Sequence, residues 1–377
     1  MKPNFDLIKA EAKNLGFSFC GHTPIRQTPH FMNYLHALDE NHFGDLSFLS
    51  QPYVVIGRRD PSSLHPSAKT AIVLGINYNT NNAKATKATN YGHISKYAIF
   101  PDYHNVLREK SQELIHAIEK LTGQDLPGRI FVDSGPVMEK DFAAMTGAGS
   151  VGKNSLFIQP ETGSFLFLSV IFTNLDLDEE PYKEIDLCGD CNLCREACPT
   201  RCIQDNRTIK VDECLSYLTI EHQGVIPINL RKKLSNHIFG CDVCQTVCPY
   251  NRGKSTLAPV FFGIQPVLGQ AVDIAGSLVM NEKLFVQKYK NTVIHRLGLI
   301  RFLRNCLIAA GNIRDLSFLP LIVNYIKHCD PLLRAHAVWS FSQYNTKDVR
   351  DILEKHQKIE KSALVIEEIS FALQAID

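Results

Sequence analysis

The spacing of apolar positions divides this chain before any motif is considered. Residues 4–15 place Phe5, Leu7, Ile8, Ala12 and Leu15 at helical intervals and stop at Gly16, which predicts a helix near the N-terminus. The run Ala71-Ile-Val-Leu-Gly-Ile-Asn-Tyr78 is apolar on both faces and predicts a buried strand; Ser164-Phe-Leu-Phe-Leu-Ser-Val-Ile-Phe172 predicts a second. Between them, residues 105–121 carry Val106, Leu107, Leu114, Ile115 and Ile118 on one side of an amphipathic helix. Arg129-Ile-Phe-Val-Asp133 predicts a short strand that ends on an acid, and the polar stretch 79–90 predicts an exposed loop. Strands mixed with helices over residues 1–180 indicate an α/β domain.

From about residue 280 the pattern is helical only. Arg304-Asn-Cys-Leu-Ile-Ala-Ala-Gly311 and Arg334-Ala-His-Ala-Val-Trp-Ser-Phe341 stand thirty residues apart, Asp330-Pro331 opens the second, and residues 367–376 are a candidate third unit. Residues 280–377 therefore predict a short HEAT-like stack of helices, although HEAT units are usually somewhat longer. The plainer reading is a helical cap over the core.

Composition narrows the function. A chain of 377 residues exceeds one ordinary core and implies two or three domains. A formal net charge of +1 excludes a global field that would drive it onto nucleic acid. A local field remains: Lys283, Lys288, Lys290, Arg296, Arg301, Arg304 and Arg314 fall in residues 283–314, a stretch with no Asp or Glu. Such a face suits phosphates, with tRNA contacts expected at the first six; the bland alternative is a solvated basic surface. The first residues hold no apolar export core, the Arg58-Arg59 pair reads as a mid-chain loop, and no run of 18 apolar residues spans a membrane. A cytoplasmic location is expected, where twelve cysteines argue for metal rather than disulfides.

Seven of those cysteines lie in two runs that each end in Cys-Pro: Cys188-Gly-Asp-Cys191-Asn-Leu-Cys194-Arg-Glu-Ala-Cys198-Pro199 and Cys241-Asp-Val-Cys244-Gln-Thr-Val-Cys248-Pro249. The first has the bacterial ferredoxin spacing, in which the fourth cysteine of a run serves the other cluster. On that rule Cys188, Cys191, Cys194 and Cys248 hold one [4Fe–4S] cluster. Cys198, Cys241 and Cys244 need a fourth ligand, for which Cys214 is preferred over Cys202, which follows Cys198 too closely. Zinc also uses Cys-x2-Cys pairs, but the number of thiols and the Cys-Pro endings favour iron–sulfur. Residues 181–255 thus form a ferredoxin-like two-cluster domain. Cys20, Cys306 and Cys329 lie among apolar residues and read as buried packing thiols.

Gly147-Ala-Gly149-Ser-Val-Gly152-Lys153-Asn154 matches the dinucleotide fingerprint and nearly matches a P-loop. Both require a strand before the glycines and a helix after. Here the flanking residues predict a helix leading in and a strand leading out, so the glycines serve close backbone approach instead. Asp133, at a strand end before Ser134-Gly135-Pro136, occupies a loop position suited to catalysis. Partly buried, its carboxyl would have a raised pKa and act as a general acid; the alternative is a turn-capping aspartate.

Several segments together resemble the epoxyqueuosine reductases: Lys96-Tyr-Ala-Ile-Phe-Pro-Asp102-Tyr-His104, Phe131-Val-Asp133-Ser-Gly-Pro136, Gly152-Lys153-Asn154-Ser-Leu156, Gly163-Ser-Phe165, Cys214-Leu-Ser-Tyr-Leu-Thr-Ile-Glu221 and Gly240-Cys-Asp-Val-Cys-Gln-Thr-Val-Cys-Pro249. The resemblance runs from about residue 5 to 255 and more loosely to the end. It implies a nitroreductase-like cobalamin-binding domain, two [4Fe–4S] clusters and a tRNA substrate. The implied reaction converts epoxyqueuosine at the wobble position to queuosine, with Asp133 as proton donor. Asp102-Tyr-His104-Asn-Val-Leu107 departs from the corrinoid signature Asp-x-His-x-x-Gly at Leu107, which fits a family whose cobalt lacks a histidine ligand. By resemblance the corrinoid contacts fall on Arg58, Asp133, Phe157, Leu168, Ser216 and Asp242; Lys153 and Asn154 are added because the glycines beside them admit close approach. The expected partners are the queuosine-type anticodon stem-loop and a low-potential electron donor such as a flavodoxin or ferredoxin, with the protein acting as a monomer. A reductive dehalogenase-like corrinoid enzyme and a non-catalytic electron carrier are the competing readings.

Overall fold

The structure is a computed structural model that describes residues 3–79, 90–178, 182–253, 265–344 and 347–376. Most of the polar stretch 79–90 lies outside the described residues. The chain divides into two compact units that interleave along the sequence: Met1–Asn82, Phe100–Asp212 and Asp242–Val267 form one, and Ala83–Ile99, Glu213–Cys241 and Leu268–Asp377 the other.

The strands are β1 (Phe19–Pro24), β2 (Thr70–Asn77), β3 (Tyr91–Ile94), β4 (Arg129–Phe131), β5 (Ser150–Val151), β6 (Phe157–Ile158), β7 (Leu166–Thr173), β8 (His237–Phe239) and β9 (Ala271–Asp273). In the first unit a sheet of order β1-β2-β7-β4 is antiparallel throughout. Every residue of β2 is buried, as its unbroken apolar run requires, and each large side chain so covered contributes about 1.5–3 kcal/mol. The helices of this unit that matter for the site are α1 (Phe5–Asn14), α2 (Phe31–Asp39), α3 (Pro52–Arg59), α4 (Tyr103–Thr122), α5 (Glu139–Met145) and α6 (Leu193–Ala197). Asn4 caps α1 by accepting from the Asp6 amide, and Ile8 and Ala12 carry its buried face. Asp102 caps α4, which buries Leu107, Leu114, Ile115 and Ile118 and stops at Gly123, whose φ of +65° ends the helix. Arg58 and Arg59 close α3 rather than sitting in a loop: Pro52 at the first helical turn fits the entry, and the helix ends before Asp60-Pro61. The core of this unit gathers Phe19, Val73, Phe131, Phe142, Phe157 and Phe172.

The glycine-rich loop has the predicted order, α5 entering and the β5–β6 hairpin leaving. Gly149 lies so close to the hairpin that a Cβ there would stand 2.1 Å from the Ile158 carbonyl oxygen. The glycine is therefore a packing requirement of the hairpin and not a phosphate cradle.

In the second unit β3 lies between β8 and β9, parallel to the first and antiparallel to the second. Helices Gly298–Ile313, Leu319–Ile326, Pro331–Ser342, Lys347–Gln357 and Ala363–Ile376 follow. Pro331–Ser342 packs against both Gly298–Ile313 and Ala363–Ile376, and Gly311 lets the Ser340 backbone come close. A buried ion pair, Arg231 Nη1 to Glu368 Oε1 at 2.5 Å and Nη2 to Oε2 at 2.9 Å, ties the last helix to the segment before β8. Among the described residues no helix is long and apolar enough to cross a membrane.

Candidate functional site

Asp133 follows β4 with a φ of +51°, a left-handed conformation that non-glycine residues adopt reluctantly. The turn aims its carboxylate into a cavity of about 450 Å³ that it shares with His30, Tyr34, Arg58, Glu139 and Asp141. About 68% of the side chain is exposed there. Its partners come from the start of α4. The Tyr103 hydroxyl donates to Asp133 Oδ2 at 2.5 Å, and His104 Nε2 stands 3.7 Å from the same oxygen. The other ring nitrogen, His104 Nδ1, lies 2.7 Å from Asp102 Oδ1, so the helix cap also orients the imidazole. Tyr103 is held between two rings, His104 at 4.1 Å and Phe167 of β7 at 4.2 Å between centroids.

This surrounding corrects the expectation of a raised Asp133. Desolvation pushes the carboxyl up, but hydrogen bonds from His104 and Tyr103, with the cationic side of His104 and Lys140 nearby, hold it below the usual carboxylate range. The second carboxylate of the cavity behaves oppositely. Glu139, the first residue of α5, is pushed up to about 7 by burial and then by the negative charge of Asp133. Its Oε1 is sealed from solvent and has no hydrogen-bond partner among the described residues; the same holds for Nε of Arg58. Arg58 lies over the Tyr34 ring, 4.5 Å from its centroid, and burial lowers its pKa. On the far side, Asp141 accepts from the His30 amide at 3.1 Å and faces His30 Nδ1 at 2.8 Å, which raises the imidazole.

A second centre in the same unit holds four thiols that act on one another, though among the described residues no group of His, Cys, Asp or Glu is drawn in to metal-ligand distance. Burial raises Cys194 and Cys248, and each is raised further by Cys188 and Cys191, so the four sulfurs share one neighbourhood. The backbone there is pinned: Asp186 Oδ1 accepts from the amides of Cys188 and Gly189 and pairs with Arg207 at 2.8 Å. Clustered thiolates repel one another unless a positive metal core lies among them, and this donor set fits an iron–sulfur cluster. Cys198 is different. Its Sγ lies 3.6 Å from Cys202 Sγ and 3.5 Å from Thr200 Oγ1, and the Cys202 contact leads in lowering it to about 5. Cys202 is buried; Cys214 precedes the helix α7 (Leu215–Ile220), and Cys241 and Cys244 are half-buried. Of the three expected packing thiols only Cys306 is fully buried. Cys20 is half-buried and Cys329 is exposed, because Cys329 ends a turn between helices where no face covers it.

The other sequence-derived positions scatter. Lys153 joins the thiol centre: its amide donates to Cys188 Sγ at 3.4 Å, and its ammonium donates to the Gly189 carbonyl at 2.7 Å and to Asn192 Oδ1. Asn154 is buried and turns its Oδ1 to the Leu156 amide. Phe157 packs into the core against Phe19, Leu168 is half-buried on β7, Ser216 is half-buried on α7, and Asp242 is buried at the start of the helix Val243–Thr246. None of these lines the cavity, whereas Arg58 and Asp133 do.

The basic stretch divides. Lys283, Lys288, Lys290 and Arg296 are exposed. Arg301 commits its guanidinium to the carbonyls of Leu297, Ile220 and Arg296. Arg304 is corrected outright: it is fully buried and donates to the carbonyls of His222, Gly224 and Leu218 and to Asn305 Oδ1. Fully buried, it braces the end of the helix that follows Cys214 and the loop after it, and is not presented to a phosphate. Sequence reasoning missed Tyr103, Glu139, His30 and Asp141. The only signal was indirect, since Tyr103 and His104 adjoin a helix cap and Glu139 opens a helix after Gly-Pro.

Comparison with known proteins agrees with this geometry. Residues 58–134 match a family described as "Epoxyqueuosine reductase QueG, DUF1730", and residues 187–251 match a "4Fe-4S double cluster binding domain". The epoxyqueuosine reductase of Aliivibrio fischeri is 32% identical over 339 residues, covering 89% of this chain and 90% of that protein. That of Escherichia coli is 32% identical over 340 residues, covering 89% and 88%. Among solved structures, the Streptococcus thermophilus epoxyqueuosine reductase superposes with a TM-score of 0.88 at 28% identity, covering 99% of both chains. An epoxyqueuosine reductase bound to an epoxyqueuosine-modified tRNA-Tyr stem loop gives 0.89 at 26% identity, over 99% and 98%. The four gathered thiols, the cavity aspartate and matches that run the length of the chain lead to one assignment: this protein belongs to the epoxyqueuosine reductase family.

Proposed function

We propose that this chain reduces epoxyqueuosine to queuosine at the wobble position of tRNA, with two [4Fe–4S] clusters as the electron store and cobalamin as the cofactor facing the substrate. The observation that carries the reading is a carboxylate aimed into a cavity by a strained turn, in the same compact unit as four gathered thiols. Cys188, Cys191, Cys194 and Cys248 hold the first cluster, and Cys198, Cys214, Cys241 and Cys244 the second. Arg58 and Asp133 are the residues retained as corrinoid contacts; Phe157, Leu168, Asn154, Ser216 and Asp242 would need to be reached from outside the cavity. Bound here, cobalamin supplies a low-potential cobalt centre able to pass electrons to the epoxide.

The chain's own residues do the rest. Removing the epoxide oxygen as water consumes two electrons and two protons. Asp133 moves the protons to that oxygen, and Tyr103 and His104 fix the carboxylate's direction. A nucleobase modification reaches such a cavity only when the anticodon base leaves its stack. Exposed Lys283, Lys288, Lys290 and Arg296 are suited to the stem phosphates, on helices read as a HEAT-like stack, and the sheet of the first unit is read as nitroreductase-like. A monomer in the cytoplasm, supplied by a flavodoxin or ferredoxin, completes the proposal. The test is anaerobic, cluster-reconstituted protein supplied with cobalamin, a chemical reductant and epoxyqueuosine-tRNA. Mass spectrometry of the nucleosides should show the loss of one oxygen from the modified base. Iron and corrinoid retained without that loss would overturn the substrate assignment.

A further inference from the structure

The cavity contains a carboxylate that the proposed reaction leaves idle. Glu139 opens α5 six residues after Asp133, lines the same cavity, and holds Oε1 out of solvent with no hydrogen-bond partner among the described residues. A buried carboxylate oxygen left unpaired is costly unless it carries a proton or meets one during turnover. The proton balance of the proposed reaction needs such a group. One proton converts the epoxide oxygen to a hydroxyl as the first C–O bond breaks. A second converts that hydroxyl to water as the other C–O bond breaks and the ring double bond forms. The two electrons come from the low-potential one-electron donor through the clusters. Asp133, held below the usual carboxylate range, rests ionised, so each proton it passes on has to reach it from another group.

We propose that Glu139 stores a proton for this reaction and loads Asp133 with it, directly or through one cavity water, taking the proton for the second transfer from solvent. The inference rests on the functional reading above. After the second transfer both carboxylates are ionised, and Glu139 regains its proton from bulk water. The charges that face Glu139 are those of Asp133 after β4, Arg58 at the end of α3 and Lys140 beside it; Asp141, paired with His30, lines the same cavity. The two carboxyls sit on opposite sides of their ordinary range, Asp133 lowered and Glu139 at about 7. Such a divergence separates a resident base from a resident acid. Here it means that Glu139 is the carboxyl still holding a proton near pH 7.

Glu139 acts through Asp133 and is a positioning residue for the proton, so its test needs readouts beyond turnover. In cobalamin-free protein, the infrared stretch of a protonated carboxyl should disappear as pH rises through about 7; it should be absent in Glu139→Gln and kept in Asp133→Asn. In loaded wild-type protein the single-turnover rate should fall over the same pH range. Glu139→Gln should lose about 100-fold and that pH dependence, while Glu139→Asp restores most of the rate. A Glu139→Gln enzyme with the wild-type rate and pH profile overturns the relay. Loaded wild-type protein that makes no queuosine counts against the functional reading instead, and the infrared titration then decides the state of Glu139 alone: no band assignable to Glu139 overturns the inference.

Discussion

The cavity around Asp133 and the basic stretch 283–314 look alike in sequence, each a concentration of ionisable residues, and they differ in what their charged atoms have left to give. In the cavity, Arg58 Nε and Glu139 Oε1 are buried without partners among the described residues, and the Asp133 side chain stays largely exposed. In the basic stretch, Arg304 has committed its guanidinium to three backbone carbonyls and an asparagine, and Arg301 is close behind. Charge count alone ranks the second region above the first as a functional surface. Satisfaction of hydrogen bonds reverses the order, because a buried polar atom with every donor paired is stabilising structure, and one left unpaired is a cost that function explains.

The sharpest way to break this contrast is Asp133→Asn. The amide keeps the size and can still pair with Tyr103, but carries no proton to give. Turnover should fall by about 10²–10⁴-fold with iron and corrinoid content unchanged. Activity within a few fold of wild type would make the strained turn a structural feature only. Arg304→Ala tests the other side. Three carbonyls lose a charged donor inside the fold, and a destabilisation of about 3 kcal/mol or more is expected in denaturant unfolding. A stable variant with weakened tRNA binding would return Arg304 to the recognition surface.

A milder perturbation is acid. Glu360 sits between Arg334 Nε and Nη2, at 2.8 and 2.9 Å. Burial raises it, but the Arg334 pairing and the amides of Ser362 and Lys361 bring it down to about 2 from an ordinary 4.5. A depressed carboxyl contributes stability that is present above the unfolded value and lost as pH falls toward the folded one, so helix Ala363–Ile376 should loosen between about pH 4.5 and 2. Arg334→Leu should remove that part of the acid transition; an unchanged profile would show that the pair adds nothing.

What the sequence made legible follows the same division. Elements set by local periodicity and caps, such as α1, β2 and α4, stand within a residue or two of their expected ends. The ferredoxin spacing names the thiols because chelation geometry is local: Cys188, Cys191 and Cys194 lie within one tight turn and helix start. The interleaving of the units had no such signal, since β3 joins β8 and β9 across more than a hundred residues of chain. Whether a charge is free had none either. Arg301 and Arg304 differ from Lys288 only through carbonyls at residues 218–224 that they reach in space. The direction of the Asp133 shift was misread for the same reason, because Tyr103 and His104 arrive from another element.

The finest discrimination lies among the exposed cations. Lys283 and Lys288 are exposed on the helix Glu282–Tyr289, with the Lys288 ammonium 5.2 Å from the Tyr289 ring centroid. An exposed lysine holds no fold together, so Lys283→Ala and Lys288→Ala should each leave unfolding within about 0.5 kcal/mol of wild type. If they meet phosphates, each should weaken binding of an anticodon stem-loop several-fold at low salt and lower the slope of log K against log salt by about 0.9 for each phosphate no longer neutralised. The salt slope is the deciding quantity, because a conformational effect would change affinity without changing the number of counterions released. Unaltered slopes in both variants would confine the RNA to other surfaces and leave the basic stretch a solvated face beside the buried Arg304.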